Sequence, residues 1–446
     1  MGAHPLSERS RELLNLVAVG LLTATGFASV YIARSSEVSA ESLTYGAFFF
    51  ALYLAAHVVA RMTVPYADPY LLPMTALLTA IGVTVIYRLD ETDAGRQALW
   101  VVIGVAVFAL TLFVLRRDYR VLENYKYLFG LGSIALLALP ALPGIGKTIN
   151  GARLWVDVGP VQFQPGELAK IFLIIFLAGY LRDKREVLAQ FRLKDFGPLF
   201  LIWGGAMLVL MQTSDLGSAL LYFGIFLGML YVATGRAVFV AGGLVLFVLG
   251  ATAVYRVVSH VQERVTIWLH PWTDEKVYCA QTGTKLLRQE CDSFQLVSSL
   301  YSIGNGGFGG TGLGKGTFSN AQGGELIPYL NTDFIYSALA QELGLIGVAA
   351  LLLVYMLFCL RGFRIALLAQ DGFSKLLALG LTFGFAVQAF IIVGGIERVI
   401  PLTGITLPFV SYGGSSVVAN FVLLAGLMLV SHRANSVAQI STEGRS

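Results

Sequence analysis

Apolar residues run through this chain in long blocks separated by short polar turns, and those blocks set its architecture. Runs long enough to cross a bilayer begin near Leu13, Leu43, Tyr70, Gln97, Tyr125, Glu167, Phe196, Asp215, Ala237, Asp333, Leu376 and Ser415. A stretch of about 20 apolar residues spans the hydrocarbon core. The pattern predicts an all-α, polytopic membrane bundle of about twelve transmembrane helices. One sizeable polar interruption, residues 258–332, stands between the run that starts at Ala237 and the one that starts at Asp333.

Composition agrees with that reading. Of 446 residues, 56% are hydrophobic and 13% charged, where a soluble domain carries roughly 25% charged residues. The mean hydropathy is +0.72. The net charge of +4 comes from basic residues in short turns. No basic tract is interleaved with aromatics, so nucleic acid is not an expected partner. The first run, residues 13–33, is too long for a signal-peptide core and reads as a retained helix.

Basic residues fix the expected orientation, because cytoplasmic loops are enriched in Lys and Arg. With Arg9 and Arg11 inside, alternate turns carry Arg61, then Arg116 and Arg117, then Arg182, Lys184 and Arg185, then Arg236, then Arg361 and Arg364. An even count returns Arg433 and the C-terminus to the cytoplasm. The long interruption, residues 151–166 and residues 395–416 then all lie outside, which points to a single external site. Cys279 and Cys291 fall in that outer loop, where an oxidising compartment permits a disulfide. Closing such a loop is worth roughly 3 kcal/mol in the chain-entropy description. Cys359 is expected at a cytoplasmic helix end as a free thiol.

Several residues suggest chemistry. Glu167 and Lys170 stand one helical turn apart, just after Pro165, and wholly apolar sequence follows from Ile171. An acid in a first turn is ordinary helix-start chemistry. A lysine held within a span costs roughly 2.5–3.5 kcal/mol and is tolerated mainly when paired or functional. Glu342, about two turns into a span, calls for a partner for the same reason. Arg153 and Trp155 lie just upstream of Glu167, where the tryptophan also suits the interfacial aromatic belt. Asp274 follows Trp268, His270, Pro271 and Trp272; most external acids only solvate, but this one sits in a segment built to pack. His270 has no second ligand at metal spacing. The GxGxxG match at residues 304–309 follows no strand, and Gly146-Lys147-Thr148 lacks the first glycine of a phosphate loop. Both read as tight external turns. Residues 394–416 are broken by proline and glycine, which at membrane depth is tolerated only against protein or a wet cavity.

Four segments together resemble one family. GARLWVDVGPVQFQPGELAK (151–170), QTSDLGSA (212–219), TDFIYSALAQELG (332–344) and PLTGITLPFVSYGGSS (401–416) are similar to the SEDS family (shape, elongation, division and sporulation), which includes RodA and FtsW. The resemblance covers residue 151 to the C-terminus in the family's order. It departs at QPGE for QPSE, at Thr213-Ser214 for the proline of QPDLG, at Tyr329 for an acid, and at the cysteine-bearing insert. It implies a ten-helix core with a long outer loop before the last three helices. Here about five spans precede GARLW instead of three, which implies two added N-terminal helices. The expected division is 1–143 for the N-terminal helices with that addition, 144–257 for core helices with GARLW and QPGE, 258–332 for the outer loop, and 333–446 for the last core helices and a short cytoplasmic tail. The brief termini favour the elongation branch.

The family resemblance also implies an activity. It implies a peptidoglycan glycosyltransferase that polymerises lipid II outside the cytoplasmic membrane, beside a class B penicillin-binding protein and membrane lipids. Its essential loop acid falls on Asp274, and its membrane-facing pair on Glu167 and Lys170. Asp274 would act as general base on the acceptor 4-hydroxyl, with inversion at the donor carbon. The lipid pyrophosphate leaves as an anion, so it needs positive charge, which Arg153, Lys170 or Arg398 could supply. Asp333, Glu342 and Ser411 complete the expected substrate-binding set. No tightly bound cofactor is expected; a divalent cation, Mg2+ or Mn2+, is a candidate companion of the pyrophosphate. The rival reading is a lipid II flippase with Glu167, Lys170 and Glu342 as its path. A third is a scaffold for the wall-building machinery.

Overall fold

The computed structural model describes residues 5–35, 40–149, 152–158, 161–189, 197–213, 215–274, 276–279, 283–318 and 326–443. Helix dominates it, because a bilayer offers the backbone no water and a helix satisfies its own N–H and C=O groups. The chain opens with α1 (Pro5–Ser35), α2 (Ala40–Thr63), α3 (Leu71–Leu89) and α4 (Glu91–Leu115). A single turn, α5 (Val121–Asn124), leads into α6 (Lys126–Ala138). A small antiparallel sheet follows, β1 (Gly146–Ile149), β2 (Ala152–Val158) and β3 (Val161–Phe163), with β2 in the middle. Next come α7 (Pro165–Ala189), α8 (Gly197–Gln212), α9 (Leu216–Thr234) and α10 (Ala237–Val257).

The expected outer loop has internal structure. It contains α11 (Ser259–Leu269), a hairpin of β4 (Lys276–Cys279) and β5 (Thr284–Leu287), and α12 (Phe294–Gly306). Three long helices close the chain: α13 (Ile335–Leu368), α14 (Gly372–Ile396) and α15 (Gly414–Glu443). Among the described residues, nine helices are long and apolar enough to cross a membrane, and Lys126–Ala141 and Gly197–Gln212 are shorter apolar helices. With α7, which carries charges at both ends, each expected run falls on one of these elements.

Aspartates begin three of the helices. Asp90, Asp215 and Asp371 each accept a hydrogen bond from the backbone N–H three residues on, which satisfies one of the four unpaired donors of a helix start. Helix α15 runs through the middle, packed on α4, α7, α13 and α14. Its neighbours meet in an aromatic core: the Phe385 ring lies 4.4 Å from Phe358 and 5.5 Å from Tyr355, and Phe409 lies 5.4 Å from Phe421, between centroids. Close approach needs small residues. A Cβ on Gly82 would sit 2.3 Å from the Val410 carbonyl oxygen. At the periphery, α10 buries no residue and touches only α9 and α11 closely.

Helix α13 is broken near its start, at Gly344, where φ is 66° and ψ is −169°. The break frees backbone groups inside the membrane span, and the glycine-rich stretch after α12 takes them up. Thr311 and Gly312 donate to the carbonyls of Gln341 and Glu342 at 2.9 Å, while Leu345 and Ile346 donate back to Gly307 and Phe308. Side chains would prevent this docking: a Cβ on Gly310 would lie 2.2 Å from the Glu342 carbonyl oxygen. The Glu342 carboxylate then accepts from the N–H groups of Gly314 and Gly316, at 3.0 and 3.1 Å, and pairs with Arg88 Nε at 3.4 Å. Arg88 in turn donates to the carbonyls of Gly314 and Gly316. The buried acid thus has the partner its position demanded.

The irregular segments gather at one end of the bundle. Asn331 bonds Asp93, Tyr412 N–H bonds the Asn331 carbonyl, and Gln164 N–H bonds Ser415 Oγ. Ion pairs of Lys126 with Asp183, Arg182 with Glu123, Arg361 with Asp68 and Arg433 with Asp118 occupy the other end.

Replacing Glu342 with alanine leaves two glycine N–H groups without their acceptor and Arg88 without its counter-charge. Breaking one side of a buried pair costs about 3–5 kcal/mol. The thermal unfolding midpoint of Glu342→Ala in detergent should fall clearly below wild type, with Glu342→Gln between them; equal midpoints for all three would contradict this account.

Candidate active site

The site starts from Pro165, which opens α7 with a ring already set for the first helical turn. One turn later, Glu167 and Lys170 project from the same face. Lys170, 1% exposed, donates from Nζ to Glu167 Oε2 at 2.7 Å and to Gln388 Oε1 at 2.6 Å. Gln388 passes the connection on, donating from Nε2 to the Thr406 carbonyl at 3.0 Å. Tyr222 donates its hydroxyl to the Gly166 carbonyl at 2.9 Å. A lysine at this depth is held by an acid, an amide and the unwound segment before α15, which together offset its desolvation.

A second charged group lies beside this one. Arg264 reaches from α11 and donates from Nη1 to the carbonyls of Leu402 and Thr403, at 3.1 and 3.2 Å. Burial lowers its affinity for a proton, while Asp333 and Asp215 act in the opposite sense. Asp333 is pushed up to about 6 by burial, with Arg264 pulling against it. Asp215 is also raised by burial; its bonds to Ser218 oppose the shift, Glu167 adds to it, and Arg264 opposes it more weakly. Glu167, Lys170, Asp215, Arg264 and Asp333 therefore form one electrostatic cluster.

The segment from Trp268 to Asp274 is fastened at several points. Trp268 donates its indole N–H to the Arg398 carbonyl at 2.9 Å, and Arg398 returns bonds from Nε and Nη2 to the Trp268 carbonyl at 3.1 and 2.8 Å. The Arg398 guanidinium stacks 5.1 Å from the Trp272 ring centre. Ser293 Oγ donates to the Pro271 carbonyl at 2.7 Å, and Trp272 donates to the Tyr301 hydroxyl at 3.2 Å. Cys279 and Cys291 form a disulfide with Cα atoms 5.6 Å apart. Beyond these anchors Asp274 is exposed.

The remaining expected residues are placed as follows. Arg153, on β2, donates from Nη2 to the Leu142 carbonyl at 2.9 Å. Glu342 belongs to the glycine lock described above. Ser411 Oγ donates to the Thr332 carbonyl at 2.6 Å and accepts from Leu407 N–H at 2.9 Å, while its carbonyl accepts from Gln97 at 3.1 Å. The structure thus joins Glu167, Lys170 and Asp333, sets Arg398 beneath the Asp274 segment, and keeps Glu342 and Ser411 in backbone-supporting roles.

Sequence reasoning did not single out Arg264, Asp215, Gln388 or Arg88. Gln388 had a signal, since it is a lone amide inside an apolar run. Asp215 read as a helix start, which it also is. Among the described residues, no group of three or more His, Cys, Asp or Glu side chains is disposed to hold a metal ion.

Known proteins are similar across most of the chain. A family model described as a cell cycle protein, of the FtsW/RodA/SpoVE group, matches residues 66–436. The peptidoglycan glycosyltransferase RodA of Mycobacterium tuberculosis is 38% identical over 449 residues, covering 96% of this chain and 91% of that protein. A probable peptidoglycan glycosyltransferase FtsW of Geobacter metallireducens is 34% identical, covering 82% of this chain and 95% of that one. Among solved structures, a chain of a peptidoglycan synthase complex, described as coordinating polymerization and crosslinking, superposes with a TM-score of 0.67 at 29% identity, covering 83% of this chain and 98% of that one. The rod shape determining protein RodA of Thermus thermophilus gives 0.58 at 26% identity, covering 82% and 97%.

Asp333 yields a pH test. Its folded-state value, about 6, lies above the ordinary 3.8, so folding favours the protonated acid. The stabilisation is complete below about 3.8 and is lost as pH rises through about 6. Thermal midpoints should therefore fall more steeply from pH 4.5 to pH 7 for wild type than for Asp333→Asn. Parallel pH profiles would show that the acid is not desolvated.

Proposed function

The chain belongs to the FtsW/RodA/SpoVE family of cell cycle proteins, and we infer from that premise what its outer site does. It is a multi-pass membrane peptidoglycan glycosyltransferase that serves cell shape. Its donor and acceptor are both lipid II, joined on the outer side of the cytoplasmic membrane with inversion. What carries this reading is an exposed carboxylate, Asp274, on a fastened segment at the same end of the bundle as buried Lys170 and the half-buried Glu167 and Arg264.

Each part has a chemical task. Asp274 takes the proton from the acceptor 4-hydroxyl as that oxygen attacks the donor's anomeric carbon. One displacement inverts the centre, and a retaining route would typically need a second carboxylate as nucleophile. The leaving pyrophosphate is already anionic, so it needs a preorganised positive field rather than an acid. Lys170 and Arg264, balanced in the unliganded chain by Glu167, Asp215 and Asp333, are the cations that would face it. A Mg2+ or Mn2+ ion would arrive with the substrate's pyrophosphate.

Orientation and partners follow from the same reading. The basic ends of α4, α7, α13 and α15 lie opposite the site, which by the positive-inside rule makes that end cytoplasmic and the site external. Both termini then face the cytoplasm. The family match starts at residue 66, after α2, so α1 and α2 are read as an addition to a ten-helix core. A class B penicillin-binding protein is the partner that would cross-link the product, as the likeness to a peptidoglycan synthase complex supports.

The test uses the full chain reconstituted in vesicles with labelled lipid II. Wild type should build glycan strands, and Asp274→Asn should lose about 10²–10⁴-fold in rate. Undiminished polymer from the variant would sink the base assignment. Lipid crossing without polymer from wild type would favour a flippase instead.

A further inference from the structure

We propose that Arg398 is a positioning residue for the segment that bears Asp274, rather than a cation that neutralises the pyrophosphate. The proposal rests on Asp274 being the general base, and it adds what holds that base in place.

The backbone gives the first observation. Helix α14 ends at Ile396, and Arg398 follows with φ at +60°, in the left-handed region where glycine is usual. Val399 N–H donates to the Gly394 carbonyl at 2.7 Å, and Arg398 N–H to the Gly395 carbonyl at 3.3 Å. That is the paired closing pattern that a glycine normally completes at a helix end. A large side chain at this position is strained, and such strain persists only where the surroundings over-determine it.

The side chain supplies the second observation. Its Nε and Nη2 converge on the Trp268 carbonyl, Nη2 also reaches the Leu269 carbonyl at 3.4 Å, and the plane stacks on Trp272. Trp268 answers by donating its indole N–H to the Arg398 carbonyl. The interaction is thus reciprocal: the left-handed backbone presents a carbonyl to the indole, and the guanidinium binds the carbonyl of the same tryptophan. With its Nε–Nη2 edge on the Trp268 and Leu269 carbonyls and one face over the Trp272 ring, the group grips residues 268–272. Asp274 lies two residues past Trp272, so its reach is set from this grip and from the Ser293 bond to Pro271.

A lysine keeps the charge but cannot bridge two carbonyls while stacking on a ring. Steady-state polymerisation by full-length Arg398→Lys, Arg398→Gly and Trp268→Phe separates the roles. We expect kcat to fall on the order of 10²-fold in Arg398→Lys, with KM for lipid II unchanged and faster amide hydrogen exchange across residues 265–279. Arg398→Gly should lose activity likewise while its unfolding midpoint holds or rises, because glycine suits the left-handed turn. Trp268→Phe, which removes only the indole donor, should show a smaller drop of the same kind and keeps the test open if an Arg398 variant does not fold.

Wild-type kcat in Arg398→Lys, or a lowered kcat with unchanged hydrogen exchange across residues 265–279, would overturn the proposal, and the second outcome would return the guanidinium to the pyrophosphate. Full activity of Asp274→Asn would defeat the base assignment separately. The hydrogen-exchange result would still report whether Arg398 holds the segment.

Discussion

A backbone group without a hydrogen bond is scarcely tolerated in hydrocarbon, and this chain breaks a helix inside its span. The interruption of α13 at Gly344 is possible because residues 307–312 meet the freed carbonyls and N–H groups one for one. Glu342 then binds the next turn of that stretch, and Arg88 of α3 closes it from the other side. Three elements far apart in sequence are locked by one local need. From that lock the outer segment is traced backwards: α12 is held to α13 by Ser299 with Ser337 and by Ser302 with Gln341, and Ser293, just before α12, reaches Pro271. The placement of Asp274 thus descends from the broken helix.

The site combines two environments. Below, buried Lys170 pairs with half-buried Glu167, and the pairing offsets the lysine's desolvation. Above, Asp274 stands in solvent on a braced segment. A lipid-linked sugar has the same division, with a charged phosphate at the membrane boundary and reacting hydroxyls in water. In the proposed reading, cations near the membrane boundary face the phosphate and an exposed base faces the sugar, and each would fail in the other's surroundings. Asp333 illustrates why: desolvation alone moves a carboxyl upward toward neutrality.

Much of the fold was legible because apolar length is a one-dimensional signal. The twelve runs, the Glu167–Lys170 pair one turn apart and the need of Glu342 for a partner all follow from local sequence and the cost of charge in lipid. The partners themselves did not. Gln388 lies 218 residues from Lys170, Gly314 lies 226 from Arg88, and Trp268 lies 130 from Arg398; no local pattern encodes such meetings. Arg398 reads from sequence as a candidate cation for the pyrophosphate, and only its neighbours show that its Nε–Nη2 edge binds the Trp268 carbonyl. The GxGxxG match at residues 304–309 proved to be a helix end docking on a helix break, where missing side chains serve packing. The polarity of residues 258–332 concealed α11 and α12, because each has only one apolar face, and the sparse pattern of such a face resembles a loop.

The same lock gives α1 a physical part. At one end Arg9 donates to the carbonyls of Pro65 and Ala67, in the turn whose Tyr66 stacks on His432 of α15 with ring centres 5.4 Å apart. At the other end α1 comes up beneath the glycine stretch, where a Cβ on Gly314 would lie 2.6 Å from Ala33 Cβ and 3.4 Å from Val30 Cα. Gly314 is the residue whose N–H Glu342 holds and whose carbonyl Arg88 holds. A helix fastened to the bundle at its base and pressed on that residue at its tip limits how far the glycine stretch can move. Helix α1, which precedes the family match, is therefore positioned to restrain that stretch.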